Sequence, residues 1–354
     1  MDTNAMGTRS MDFGRRTLVT EDGLRLQVTV RGRDDAPLTV LLAHCWTADE
    51  QDWHYQVHDL MVRYGHDLRV ITWDHRGHGR SDAAPEAACT VAHLARDLGG
   101  VVDAFAPEGP LLLAGHSIGG MAMTALPQER PDLVARVAGL LFVSTSAGEM
   151  STVTLGLPAA TTAATRDRVP AVLATRARRL SRSQRRRTPI LERRIMRRFV
   201  FGGGARPRDV GVAVDQLIAC PPETMSGFYR DMMTHERGAA LAAYDGVRTV
   251  VLVGSRDLLT PPAHGRRIAR SIRGARLLVA PGAGHMLPME RAELVTEHLC
   301  ELIDRALAEP AGPGSGSGSG GVALAVPDED DALDDLDVVG GDRDLRVVQA
   351  PTRS

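Results

Sequence analysis

The stretch Leu111–Met121, LLLAGHSIGGM, constrains this chain more than any other. Four apolar residues, Leu111 to Ala114, stop at Gly115; Ser117 follows, then Gly119 and the largely apolar run Met121–Leu126. The pattern predicts a buried strand, a tight turn and a helix. Gly115 and Gly119 remove the side chains that would collide in so sharp a bend. A Gly-x-Ser-x-Gly sequence in that setting holds its serine in a strained turn at the carboxyl end of a strand, with the hydroxyl turned to a cleft. The amide of Ile118, at the helix N-terminus, then points at any oxygen that becomes negative.

The rest of the chain repeats the alternation. Arg16–Thr20 and Leu24–Val30, joined at Asp22-Gly23, read as a β-hairpin. Leu38–Ala43, LTVLLA, is the near-continuous apolar run of a strand covered on both faces, and it runs into His44-Cys45-Trp46-Thr47. A helix follows over about 51–64, then a strand at 69–73 and the polar, glycine-punctuated loop Asp74–Asp82. Thr90 is placed to cap a helix carrying Val91, Leu94, Leu98, Val101 and Val102 on one face. Val137–Val143, Thr249–Val253 and Arg276–Ala280 are three more strands, and a last helix runs over about 291–308. Alternating apolar strands and helices predict a mostly parallel sheet with helices on both faces. Ligands of such sheets sit at the carboxyl ends of the strands. Ser117, Asp257, His285 and the turn 44–47 all fall just past strand ends.

Composition removes several function classes. A net charge of −2 argues against a general nucleic-acid role. All 42 basic residues are arginine, so lysine Schiff-base and P-loop chemistry are excluded. Cys45, Cys89, Cys220 and Cys300 are scattered without a Cys-x-x-Cys pair, which speaks against a zinc site or a disulfide framework. The first sixteen residues lack the apolar core of a secretory signal, and no apolar run approaches the roughly 18 residues of a membrane span. The expectation is a cytoplasmic protein that needs neither metal nor cofactor.

A serine hydroxyl is a poor nucleophile until a base takes its proton, and the base needs a carboxylate to hold its tautomer. Ser117, Asp257 and His285 occur in the order nucleophile, acid, base that this sheet architecture uses. Glu149, near the end of the 137–143 strand, competes with Asp257 for the acid, and the Gly-x-x-Asp turn favours Asp257. In LLAHCWT (41–47), Trp53 with Gln56, WDHRGHGRSD (73–82), GHSIGG (115–120), VGSRDLLTP (253–261) and PGAGHMLP (281–288), the chain resembles the α/β-hydrolase family over most of residues 12–308. The resemblance implies Ser117 as nucleophile, Asp257 as acid and His285 as base, with the backbone amides of Trp46 and Ile118 as oxyanion hole. It implies an architectural role for Asp74, Arg76, Gly77 and Gly79. Members of the family usually read His-Gly where this chain has His44-Cys45, which puts a Cβ beside the proposed oxyanion donor. His44, His75, His78 and His116 read as loop or packing residues.

The α/β-hydrolase core is therefore expected at 12–146 and 245–308, with a helical cap inserted at 147–244 and a flexible linker with an acidic, disordered tail at 309–354. Residues 176–198 of the cap hold 11 arginines and one glutamate, and Leu191, Ile195, Met196 and Phe199 fall on one side of a helix with arginines on the other. Two readings stand: a solvated outer face with its apolar side packed, or an interfacial helix contacting anionic lipid. The tail, with nine acidic residues over 328–344, would fold back on the arginines as a salt-sensitive cover. The function expected is a carboxylesterase or lipase-like serine hydrolase acting on small hydrophobic acyl esters. A thioesterase, a carbon–carbon bond hydrolase and a cofactor-free perhydrolase share the same triad. A low-turnover receptor of this fold is the non-enzymatic alternative.

Overall fold

The computed structural model describes residues 14–153, 175, 190–308 and 346–349. The expected hairpin forms from β1 (Gly14–Val19) and β2 (Arg25–Gly32), paired antiparallel from Gly14↔Val30 to Val19↔Arg25. In chain order there follow β3 (Leu38–Ala43), α1 (His54–Tyr64), β4 (Leu68–Trp73), α2 (Val91–Phe105), β5 (Leu111–His116), α3 (Ile118–Glu129), α4 (Pro131–Val134) and β6 (Val137–Val143). Thr90 caps α2 by accepting the His93 amide. The inserted region contributes α5 (Ile190–Phe199), α6 (Pro207–Ala219) and α7 (Pro222–Thr234). Pro207 and Pro222 open the last two, where a missing N–H costs nothing. Then come β7 (Arg248–Gly254), α8 (Pro262–Ser271), β8 (Arg276–Ala280), α9 (Leu287–Glu290), α10 (Ala292–Ala308) and β9 (Arg346–Gln349).

The sheet order is β1-β2-β4-β3-β5-β6-β7-β8-β9. From β4 through β3 to β8 all pairings are parallel. A strand with both faces covered alternates its residues between two cores, and this explains the unbroken apolar runs. Leu41, Leu113, Phe142 and Val251 join one cluster with Val101 and Val102 of α2 and Leu126 of α3. Their neighbours Leu42, Leu112, Leu141 and Leu252 join a second cluster with Leu60 of α1 and Val295 and Leu299 of α10. Beyond 309 the tail contributes one strand that an unstructured tail does not predict. Arg346–Gln349 pairs antiparallel with the edge strand β8, where unpaired backbone groups and an Arg-Val-Val-Gln segment suit each other. The rest of the tail, including its acidic run at 328–344, and residues 154–174 and 176–189 lie outside the described residues.

One buried ion pair fixes the loop after β4. Arg76 binds Asp97 of α2 through Nε and Nη2, both at 2.7 Å, and also reaches Asp22 in the hairpin turn. Arg76 and Asp97 side chains are each only 2% exposed. Removing one member leaves the other charge in a dry site, which costs far more than an exposed pair ever contributes. Asp97→Ala is therefore expected to lower the unfolding free energy by about 3 kcal/mol, and Asp82→Ala, at the exposed Arg25 pair, by less than about 1, as read from urea titrations.

Candidate active site

Ser117 stands between β5 and α3 with φ 54° and ψ −116°, a backbone conformation that L-residues other than glycine rarely adopt. The glycines around it make the turn possible. A Cβ at Gly115 would lie 2.5 Å from the Gly120 nitrogen, and one at Gly119 would lie 2.4 Å from the Ala43 carbonyl oxygen. The Ser117 amide donates to Val143 O at 3.0 Å, and its carbonyl accepts the Thr145 hydroxyl at 2.6 Å. Ile118 is the first residue of α3, where an N–H has no partner within the helix.

Asp257 and His285 are brought together. Asp257 Oδ2 lies 2.9 Å from His285 Nδ1, which leaves Nε2 as the nitrogen free for a nucleophile. The carboxylate is gripped on its other sides as well. Oδ1 accepts the amides of Leu259 and Thr260, each at 2.9 Å, and Oδ2 accepts the Thr260 hydroxyl at 2.8 Å. Burial alone pushes this carboxyl up, but the His285 ring and the Thr260 bonds outweigh it and hold Asp257 below the ordinary carboxylate range. Thr260 was not singled out by the sequence. Its place three residues after an aspartate, in a turn, is the signal that was there to be read. Glu149, the competing acid, is 60% exposed and pairs with Arg267, apart from His285.

Cys45 has no left-handed backbone, so its Cβ adds no φ strain; the left-handed residue is Thr47, at φ 63°. The Cys45 side chain packs with Ala48, Phe201 and Met286. Its amide donates to Asp52 Oδ2 at 3.0 Å. Trp46 is half-buried beside Tyr229 of α7, their rings 6.1 Å apart. Trp53 ties the end of β3 by donating Nε1–H to Ala43 O at 3.0 Å, and Gln56 ties α9 and α10 through Pro288 O and Ala292 O. His44, His75 and His78 form a buried ring cluster, with 4.0 Å between the first two centroids. They are the packing residues they were expected to be. His116 is not merely that: its Nε2 lies 2.9 Å from the His285 carbonyl oxygen and its Nδ1 2.7 Å from Asp52 Oδ2.

Among the described residues, Cys45, Asp52 and His116 bring donor atoms within 4.8 Å, a spacing that could hold a metal. Two of those atoms are already hydrogen-bonded to each other. The region between β6 and β7 also reaches His285. His285 N donates to Val200 O at 2.8 Å, and Gly203 N to Gly282 O at 2.9 Å. Glu290 accepts the amides of Gly202, Gly284 and Met286, bridging the two segments. On α5, Met196 packs inward, whereas Ile195 and Phe199, expected on the same apolar side, are 41% and 38% exposed. No helix of the described residues is long and apolar enough to cross a membrane.

A family model described as alpha/beta hydrolase family matches residues 40–298. Among curated proteins, the chain is similar to a putative carbamate hydrolase, RutD, of Variovorax paradoxus, with 37% identity over 119 residues, 34% of this chain and 42% of that protein. It is similar to a probable oxidoreductase, EphD, of Mycobacterium tuberculosis, with 32% identity over 130 residues, 36% of this chain and 21% of that protein. The match thus spans less than half the length of either relative. A thermophilic esterase from Thermogutta terrifontis superposes with a TM-score of 0.64 at 26% identity, over 82% of this chain and 98% of that one. An esterase from Exiguobacterium antarcticum, at 18% identity and a TM-score of 0.66, shares the fold over 81% and 98% of the two chains.

The buried histidines set a pH limit. Burial pulls His78 and His235 down to about 4, and holds His44 and His75 well below the ordinary imidazole value. Below about pH 6.5 the unfolded chain takes up protons that the folded chain refuses, so stability falls with falling pH over the window from about 6.5 to about 4. His93 and His264, also lowered by burial, add to this fall, whereas His116, raised by Asp52 against the pull of burial, and Asp74, whose carboxyl burial pushes up to about 6, act in the opposite direction. The urea midpoint is expected to drop steadily from about pH 7 to about pH 5; a midpoint constant over that window would refute this account.

Proposed function

We propose that this chain, which belongs to the alpha/beta hydrolase family, is a serine hydrolase that cleaves carboxylic esters of hydrophobic acyl groups through an acyl-enzyme on Ser117. The observation that carries the reading is that a strained serine turn follows β5 and a carboxylate-held imidazole follows β8, both beyond the carboxyl ends of parallel strands of one sheet. The 26%-identical esterase supports ester chemistry in particular.

In this reading the His285 Nε2 takes the proton of Ser117 as its oxygen attacks the ester carbonyl. The negative oxygen that forms is met by the amides of Ile118 and Trp46. His285, now an imidazolium steadied by Asp257, gives its proton to the leaving alcohol as the carbon–oxygen bond breaks. Water then enters. His285 removes its proton, the hydroxide adds to the acyl carbon, and the acid leaves as the proton returns to Ser117. Trp46 and Cys45 flank the proposed oxyanion amide and pack against Tyr229 and Phe201, so in this reading their bulk bears on which acyl groups fit.

A fluorophosphonate probe is expected to label the folded protein at Ser117. Ser117→Ala and His285→Ala should abolish labelling and lower kcat on nitrophenyl esters by about 10⁴–10⁶. A folded protein that does not label would favour a receptor of the same fold. Turnover of acyl-thioesters in preference to oxygen esters would move the reading to a thioesterase.

We propose, second, that α5 rests on anionic lipid. Ile195 and Phe199, four residues apart, are exposed among Arg193, Arg194, Arg197 and Arg198, all exposed, so apolar and cationic groups share one surface. The remaining arginines of this stretch, 176–187, lie outside the described residues. The protein is expected to sediment with phosphatidylserine vesicles and to be released by high salt, and Phe199→Glu should weaken the association. Equal recovery with phosphatidylcholine vesicles would overturn the reading.

A further inference from the structure

His116 takes no part in the mechanism above, yet it is fully buried, and so is Asp52. The carbonyl oxygen of His285 can only accept a hydrogen bond, so the His116 Nε2 facing it at 2.9 Å carries a proton. At 2.7 Å, the contact between Nδ1 and Asp52 Oδ2 requires a second proton, because two bare acceptors would repel there. Oδ2 also accepts the Cys45 amide, which favours the ionised carboxylate and so places that proton on the ring. The ring is therefore an imidazolium paired with a carboxylate in the interior. A metal among Cys45, Asp52 and His116 would have to displace that bond.

We propose that His116 is a charged positioning residue, whose imidazolium, held by Asp52, locks the Cys45–Trp46 turn, the Ser117 turn and the His285 backbone into one unit. The proposal rests on the serine-hydrolase reading. A single carboxylate oxygen receives the turn after β3, through the Cys45 amide, and the end of β5, through His116. The other face of the same ring receives the loop after β8, through the His285 carbonyl. These are the three segments that carry the proposed oxyanion amide, nucleophile and base. Each leaves its own strand, and the Asp52–His116 pair joins all three. The fit matters because a displacement of about 1 Å between reacting groups costs about 10² in rate.

The surroundings are consistent with a cation at this place. Burial opposes charge on His116, but the facing Asp52 carboxylate, its bond, the His285 carbonyl and the more distant Asp257 outweigh burial and raise it above the ordinary imidazole value. Cys45 and His44 approach from the turn after β3, His285 stands with its ring 5.2 Å away, and the Trp53 ring lies edge-on at 6.5 Å. Burial and Asp52 both drive the Cys45 thiol up, and burial drives His44 down, so neither neighbour brings a competing charge.

The test is a nitrogen-15 spectrum of the histidine rings in the full chain at about pH 8, where an ordinary imidazole has lost its extra proton. His116 is expected to show protons on both ring nitrogens. In Asp52→Asn it should become neutral, with one proton on Nε2, while kcat on an ester falls by about 10² and KM is nearly unchanged. Asp52→Glu, which keeps the charge, should retain the doubly protonated ring and recover much of kcat. A neutral His116 ring in the unaltered protein, or an Asp52→Asn protein with undiminished kcat, overturns the proposal. Should Asp52→Asn fail to fold, the spectrum of the unaltered protein decides the protonation and Asp52→Glu decides the kinetic arm. Failure of Ser117 labelling would sink the hydrolase reading instead, and the ring spectrum, which needs no turnover, separates the two.

Discussion

Everything near the cleft depends on how closely the backbone at the end of β5 approaches its neighbours. With Gly115 against Gly120 and Gly119 against the Ala43 carbonyl, there is no room for a single added carbon on either side of Ser117. That crowding forces Ser117 into a left-handed conformation which its own chemistry disfavours, and the parallel strands β3 and β6 on either side hold it there. The packing of two large apolar clusters, one on each face of the sheet, supplies the rigidity that makes such strain sustainable.

Most of this frame was legible in the chain's own letters. Val137–Val143 and Arg276–Ala280 form strands with the bounds their apolar runs predict, Thr90 caps the helix it precedes, and Asp22-Gly23 turns the hairpin. Such features are local, since each depends on a few neighbouring residues and on alternation or capping chemistry. Asp257 and His285, 28 residues apart, were legible for a related reason: each follows its own strand, and parallel strands bring their ends together.

What was not legible is non-local. Asp52 reads as one more acid at the start of a helix, and His116 as a packing residue between Gly115 and Ser117. Only the folded chain shows that a single oxygen of the one receives both the ring of the other and the Cys45 amide. Where the family usually has glycine this chain has Cys45, and only the folded chain shows that the left-handed position of the turn is two residues later, at Thr47. On α5 the helical period placed Ile195, Met196 and Phe199 together, yet only Met196 finds a partner surface. A periodic pattern reports which residues share a side, not whether anything covers it. The strand at 346–349 belongs to the same class, because an edge that accepts it is made by β8, far away in sequence.

The seam between residues 200–203 and the loop bearing His285 has a further implication for traffic. The amide of His285 ends on the Val200 carbonyl, and Glu290 staples both sides with one carboxylate. That segment cannot move alone: prising it away would strip the loop bearing His285 of its moorings in the same stroke. In the reading that makes His285 the base, motion that admits substrate has to come from other segments, because moving this one moves the base.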